Sequence, residues 1–344
     1  MVSLTHSLNG ALFRFRRFRC QSLISSCQRL VDRIRTWVSF WARPKEMGNE
    51  DNHNKEQRKY ENIGPTAALV AYYRSASDIP FAKEVAREIN AEEISQKLTT
   101  KDQLLLPKMQ VMQVVFEARF KSVDAVLGQY PYITQVMEIP AGFSTRGMAM
   151  TVENPAITYI ECDLAPMLQE KQKLVSNIFT HRGNGVPPHL HFHIASILEE
   201  EQLNSAVSTL NAGPLAIITE GLLSYLTPQE KVIAAKNMRA LLATHGGVWI
   251  VTDLTRVFRP DDQMATELRN RISAATGFSP ITGCFASISE ARRFFKHLGF
   301  KVRAYRRSDV MHKLSSRTAP GLNDHAIRKL LKPQSTFALE IAKK

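Results

Sequence analysis

From Tyr130-Pro131 onward the chain repeats one unit, a short β-branched or apolar run of strand length followed by a helical segment. The runs are TQVMEI (134–139), ITYIEC (157–162), LHFHIA (190–195), LAIIT (215–219) and VWIVT (248–252), with two more at 301–305 and 336–341. Helical patterns start at Pro166 and Glu199, and again at Thr227-Pro228-Gln229-Glu230. There Thr227 suits an N-cap, Pro228 the first helical position and Glu230 the return arm of a capping box. Glycine stops are predicted at His245-Gly246-Gly247 and at Gly299. Such alternation implies a parallel sheet with helices on both faces, joined by right-handed crossovers. The last two runs have no clear crossover helix between them, so the final strand is expected to insert antiparallel beside the sixth. Residues 256–288 and 309–335 are long, basic and weakly periodic, and read as lids or poorly ordered loops.

Before Tyr130 the pattern is helical, with segments at 66–73, 81–89 and 108–127 and no strand signal. The expected organisation is an N-terminal extension (1–46), a helical cap (47–130) and a sheet-bearing domain (131–344) with insertions at 256–288 and 309–335. A hydrophobic fraction of 44% and a charged fraction of 22% suit a soluble globular chain and exclude collagen-like or wholly disordered readings. No apolar stretch reaches the length of a membrane span. Cys20, Cys27, Cys162 and Cys284 form neither a disulfide framework nor a zinc-binding spacing, and suit a reducing compartment such as the cytoplasm.

The net charge of +13 is unevenly spread. Residues 1–46 hold nine basic and two acidic side chains, so seven of the thirteen net charges lie there. The body is only mildly basic, and no nucleic-acid partner is assigned. Within the extension, FRFRRFR (13–19) is followed by apolar residues at three- and four-residue steps up to Trp41, with arginines on the other side. This basic amphipathic helix has three readings: a peripheral membrane contact through residues 13–42, an organellar targeting peptide, or an extension dispensable for chemistry, with Met47 as the effective start.

In an open α/β sheet, ligands sit beyond the carboxyl ends of the strands. The first strand runs into Glu138-Ile-Pro-Ala-Gly142-Phe-Ser-Thr-Arg146-Gly147, a small-residue turn opening a helix. It has too few glycines for a dinucleotide fingerprint and lacks the Gly-Lys-Ser/Thr of a phosphate loop. The second strand ends in Asp163, 21 residues beyond Gly142. At that spacing a carboxylate accepts both ribose hydroxyls of a nucleoside, or caps the following helix. The third ends in Ser196-Ile197, where an adenine edge belongs. The fourth ends in Glu220-Gly221, a carboxylate at a buried strand end that requires a partner, either a ligand or a protein cation such as Arg146.

Four blocks carry a resemblance: GPTAALVAYYR (64–74), EIPAGFSTRG (138–147), YIECDLAPMLQEKQKLV (159–175) and TEGLLSYLTPQEK (219–231). In these the chain resembles the S-adenosylmethionine-dependent methyltransferases of the leucine carboxyl methyltransferase and tetracenomycin-type polyketide O-methyltransferase superfamily. The resemblance implies a class I methyltransferase, Rossmann-like seven-stranded sheet, mostly parallel with the last strand antiparallel, and a helical N-terminal cap. It implies S-adenosyl-L-methionine as methyl donor. Glu138 opens the cofactor block, Ala141 and Gly142 match the turn under the methionine portion, and Arg146 matches an arginine that pairs with the cofactor carboxylate. Asp163, with Leu164 beside it, matches the ribose carboxylate, and Glu220 the acid after the fourth strand. Ser196, with Ile197, stands where the leucine carboxyl enzymes have an aspartate for the adenine, and Pro140 where the family has Gly or Ala. The family's N-terminal arginine has no secure counterpart, Arg74 being the nearest candidate; Arg74 and Tyr225 are expected to bind substrate.

Other signals are weaker. His189, His191 and His193 alternate along a strand expected to be internal, with no Asp, Glu or Cys at the same spacing, so they read as packed histidines and no metal is assigned. Tyr72 and Tyr73 read as pocket lining or as packing. Arg303, Arg306 and Arg307 read as a solvated strand end. The expected function is methyl transfer from S-adenosylmethionine to a carboxylate or hydroxyl oxygen of a small molecule. The alternative is a non-catalytic nucleoside binder or membrane-tethered scaffold on a decayed fold.

Overall fold

In the computed structural model, the structure describes residues 64–98, 108–255, 270, 273, 274, 283–318 and 322–342. The readings of the N-terminal extension and of most of the 256–288 insertion lie outside these. The helical segment gives α1 (Gly64–Arg74), α2 (Ala82–Glu88), α3 (Ala91–Leu98) and α4 (Lys108–Leu127). Each predicted run is then a strand: β1 (Gln135–Glu138), β2 (Thr158–Asp163), β3 (Leu190–Ile194), β4 (Leu215–Thr219), β5 (Gly247–Val251), β6 (Phe300–Arg306) and β7 (Ser335–Ile341). Between them lie α5 (Arg146–Glu153), α6 (Ala165–His181), α7 (Glu200–Val207), α8 (Pro228–His245) and α9 (Ile288–His297).

The sheet order is β3-β2-β1-β4-β5-β7-β6, parallel from β3 to β5. β7 inserts antiparallel between β5 and β6, pairing with both. This is the class I methyltransferase arrangement expected above. The central strands are near-continuous apolar runs because both faces are covered. Met137, Ile160, Ile217 and Trp249 face α7, α8 and α9, while Val136, Tyr159, Ile218 and Ile250 face α1, α2, α4, α5 and α6. Side chains from the cap helices, such as Ala68, Val85 and Val123, share one buried cluster with these strands. A fully buried valine such as Val85 or Val123 contributes about 1.5–3 kcal/mol.

α8 starts as its sequence requires. Thr227 N–H donates to the Glu230 carboxylate at 2.6 Å, Glu230 N–H donates to Thr227 Oγ1 at 3.3 Å, and Pro228 is the first helical residue. It ends at Gly246, and α9 ends just before Gly299.

Two expectations are corrected. Residues 309–335 are not a lid or loose loop: 3₁₀ turns span Arg307–Lys313 and Ser315–Thr318, and α10 spans Asp324–Leu331. Met311, Leu314, Ile327 and Leu331 pack against Val114 and Ala118 of α4. These apolar positions are too widely spaced along short elements to give a clear period. β3, in turn, is an edge strand, and its histidines are half-buried. His189 Nε2 lies 2.8 Å from the Thr151 carbonyl. Among the described residues, no group of His, Cys, Asp or Glu is arranged to hold a metal ion, and no helix is long and apolar enough to cross a membrane.

Candidate functional site at the carboxyl ends of the strands

Strand order reverses between β1 and β4, so the site belongs beyond their carboxyl ends. The ladder continues past the strand ends there. Ala141 N–H donates to the Cys162 carbonyl at 2.8 Å, and Ala195 N–H to the Asp163 carbonyl at 3.0 Å. These bonds hold the turns after β1, β2 and β3 side by side, which brings Ala141, Gly142, Asp163, Leu164, Ser196 and Ile197 to one rim.

At its centre is the turn that follows the cis Ile139–Pro140 peptide. Gly142 adopts φ +45°, a conformation unfavourable for other residues. Its N–H donates to Asp163 Oδ2 at 2.7 Å, and Leu164 N–H donates to Asp163 Oδ1 at 2.8 Å. Burial nevertheless raises the Asp163 pKa to about 6, against those two hydrogen bonds. Thr145, at the start of α5, is buried, and its Oγ1 has no partner among the described residues. Ser196 accepts the Leu198 N–H at 3.2 Å, which leaves its hydroxyl proton available. The donor set therefore fits a nucleoside: a carboxylate with spare lone pairs, a glycine that admits close approach, and an unpartnered hydroxyl.

The remaining candidates form a different group. Arg146 is fully buried and donates to Asp124 at 2.7 Å, to Glu138, to Glu220 at 3.3 Å, to the Phe120 carbonyl at 3.4 Å and to Ser144 Oγ at 3.5 Å. These five acceptors take up its N–H groups, so Arg146 faces the protein interior and not a ligand carboxylate. The other Glu138 oxygen accepts from Tyr159 Oη at 2.7 Å. Glu220 pairs with Arg74, with Arg119 at 3.0 Å and with Arg146, so its burial is explained by protein cations. Burial acts to raise the Glu220 pKa, but the three guanidinium groups outweigh it and hold it far below the usual carboxylate range.

The network runs on through Arg119 to Asp253 at 2.9 Å and from Arg307 to Asp253 at 2.8 Å. Thus four arginines (74, 119, 146, 307) face four carboxylates (Asp124, Glu138, Glu220, Asp253), a neutral plate over the ends of β1, β4 and β5. The Phe120 ring is stacked by two guanidinium groups, Arg74 at 4.9 Å and Arg146 at 4.1 Å from its centroid. Among the described residues, Arg74 makes one ion pair, to Glu220, and a 3.4 Å bond to the Phe116 carbonyl. Burial lowers its pKa to about 10, with Arg119 and Arg146 pushing the same way and Glu220 against. Its Nη1 group donates to no acceptor among the described residues.

Tyr225 is half-buried beside Thr66, Arg119, Asp253 and Cys284, and burial raises its pKa. Tyr73 is buried and stacks on Phe116, and Tyr72 donates to Met109 Sδ at 3.6 Å, so both pack. Arg307 corrects the reading of a solvated strand end: Arg303 and Arg306 are exposed, but Arg307 is buried on Asp253 and Gln334. Sequence reasoning does not single out Arg119, Asp124, Asp253 or Lys171. One signal was available for Asp253: β4 and β5 both run into a threonine followed at once by an acid, Thr219-Glu220 and Thr252-Asp253.

No family model matches the chain, and no curated protein matches it. Among solved structures, a DUF574 family protein from Streptomyces avermitilis MA-4680 is 16% identical with a TM-score of 0.52, over 81% of this chain and 97% of that one. A putative O-methyltransferase from Nostoc punctiforme is 14% identical (TM-score 0.39; 67% and 60% covered). PigF with SAH is also 14% identical (TM-score 0.42; 76% and 70% covered). The first of these similarities shows a shared fold.

Proposed function

We propose that this protein is an S-adenosylmethionine-dependent methyltransferase acting on an oxygen of a small molecule, a carboxylate foremost. The observation that carries the reading is the Gly142 turn docked on Asp163 at the ends of β1 and β2, within a sheet of this order. Asp163 would hold the ribose hydroxyls, Ala141 and Gly142 would admit the methionine portion, and Ser196 and Ile197 would border the adenine. When bound, the cofactor supplies an electrophilic methyl group on a sulfonium. The likeness of the four sequence blocks to the leucine carboxyl and tetracenomycin-type enzymes supports the same cofactor.

A carboxylate acceptor suits the groups present. It is already a nucleophile at neutral pH, and its rate gain comes from alignment and exclusion of water. Arg74 offers Nη1 beside the plate, a charged donor of the kind that orients a carboxylate. Tyr225, on the loop after β4, would border the same acceptor. A second reading, a nucleoside binder without transfer, is supported by the fact that Arg146, Glu138 and Glu220 are all taken up by protein partners.

Calorimetry with S-adenosylhomocysteine tests the reading. Wild type should bind, and Asp163→Ala should bind at least tenfold more weakly while remaining folded. A folded wild type that binds neither S-adenosylhomocysteine nor S-adenosylmethionine overturns it.

A further inference from the structure

Below the Gly142 turn lies a charged pair that the proposed reading does not use. Lys171 is on the inward face of α6, in line with Leu168, Leu174, Val175 and Ile178, and has no exposed surface. A lysine is unfavourable there unless its ammonium is compensated, and leucine or methionine would extend the apolar stripe at no such penalty. Its Nζ donates to the carbonyls of Ser144 and of Gly142, the latter at 3.2 Å. It lies 3.0 Å from Glu161 Oε2. Glu161 is itself fully buried on β2, and its oxygens make no well-aligned hydrogen bond, so the contact is an ion pair without one. On its other side Glu161 abuts α5, where a Cβ on Gly147 would lie 2.5 Å from Oε1.

The consequence is geometric. Two carbonyls of one tight turn are drawn to the same cation on the α6 side, and the Gly142 N–H is bonded to Asp163. Glu161 compensates the lysine without competing for the carbonyls. We infer that Lys171, held against Glu161, is a positioning residue that fixes the Gly142–Ser144 turn in the form that presents Gly142 to the ligand. The inference rests on the reading that this turn carries the cofactor.

Two variants test it: Lys171→Met, and Lys171→Met combined with Glu161→Gln. Three measurements apply: thermal unfolding, hydrogen exchange of backbone amides 141–147 in the ligand-free protein, and calorimetry with S-adenosylhomocysteine. The single variant leaves a buried carboxylate uncompensated and should unfold at lower temperature, and the double variant should recover most of that loss. Exchange at 141–147 should be at least tenfold faster than wild type in both, and affinity at least tenfold weaker in both. A double variant that regains stability, slow exchange and affinity together overturns the inference, because Lys171 would then be only a partner for Glu161. If the single variant does not fold, the double variant carries the test. If wild type binds no S-adenosylhomocysteine, the cofactor reading fails, while exchange at 141–147 still decides whether Lys171 holds the turn.

Discussion

Glu220 is singled out by its place in the sequence, and its partners are protein cations. A carboxylate at a buried strand end requires a partner, and that much follows from its position after LAIIT. Which partners it has is set largely by Arg74 and Arg119, 146 and 101 positions away along the chain, and no local pattern announces them. The structure supplies three guanidinium groups, so Glu220→Gln should lower the melting temperature, by an amount equivalent to about 3–5 kcal/mol for a broken buried pair. It should change S-adenosylhomocysteine affinity far less than Asp163→Ala does. Differential scanning calorimetry on both variants, with and without ligand, checks this; an unchanged melting temperature in Glu220→Gln would contradict the pairing. The closeness of Gly142 to Asp163 was legible because each lies at the end of a neighbouring strand. Lys171 was not, since a lysine in the polar run QEKQK of an amphipathic helix reads as a solvated side chain.

At the scale of elements, all seven strands were legible: β1 to β4 are short apolar runs each followed by a helix, β5 and β7 are short apolar runs, and β6 alternates apolar with basic residues. α8 was legible down to its cap. Thr227→Ala should destabilise the protein by about 1 kcal/mol, measured by denaturant unfolding, since it removes the hydroxyl that receives the Glu230 N–H. The segment after β6 was not legible, and Glu117 of α4 shows why. This fully buried carboxylate accepts the Ser315 N–H at 2.7 Å, the Ser316 N–H at 2.9 Å and both serine hydroxyls, with Lys121 at 2.6 Å. Order in 315–318 therefore comes from a residue about 200 positions earlier, not from its own periodicity. Glu117→Ala leaves those two backbone N–H groups without their acceptor, at roughly 1–3 kcal/mol each. The expected result is a lower melting temperature together with new protease cleavage in 307–318. Loss of stability without cleavage there would mean that the turn is held by its apolar contacts instead.

Over the whole molecule, four buried carboxylates at the strand ends, Glu220, Asp253, Glu161 and Asp163, fall into two sets with opposite pH behaviour. Glu220 and Asp253 are depressed: burial raises both, but their arginines outweigh it. Glu161 and Asp163 are raised, to about 7 and about 6, with burial the leading cause in each. For the raised pair, the folded state holds protons that the unfolded chain has already released between about pH 4 and 7. Stability must then decrease as pH rises through that window, because the folded state binds more protons. For the depressed pair the sign reverses: their contribution is present above the unfolded value near 4 and is lost as pH falls below it. The ligand-free protein should therefore be most stable near pH 5, with melting temperature falling toward pH 8 and again below about pH 4. A ribose bound to Asp163 favours the ionised carboxylate, so the melting-temperature increase caused by S-adenosylhomocysteine should grow as pH rises through about 6. Scanning calorimetry from pH 4 to 8, with and without ligand, measures both trends. Glu161→Gln should flatten the ligand-free decline near pH 7 and leave the ligand-dependent rise near pH 6 in place. If the ligand-free curve stays level between pH 5 and 8, burial does not govern these two carboxylates.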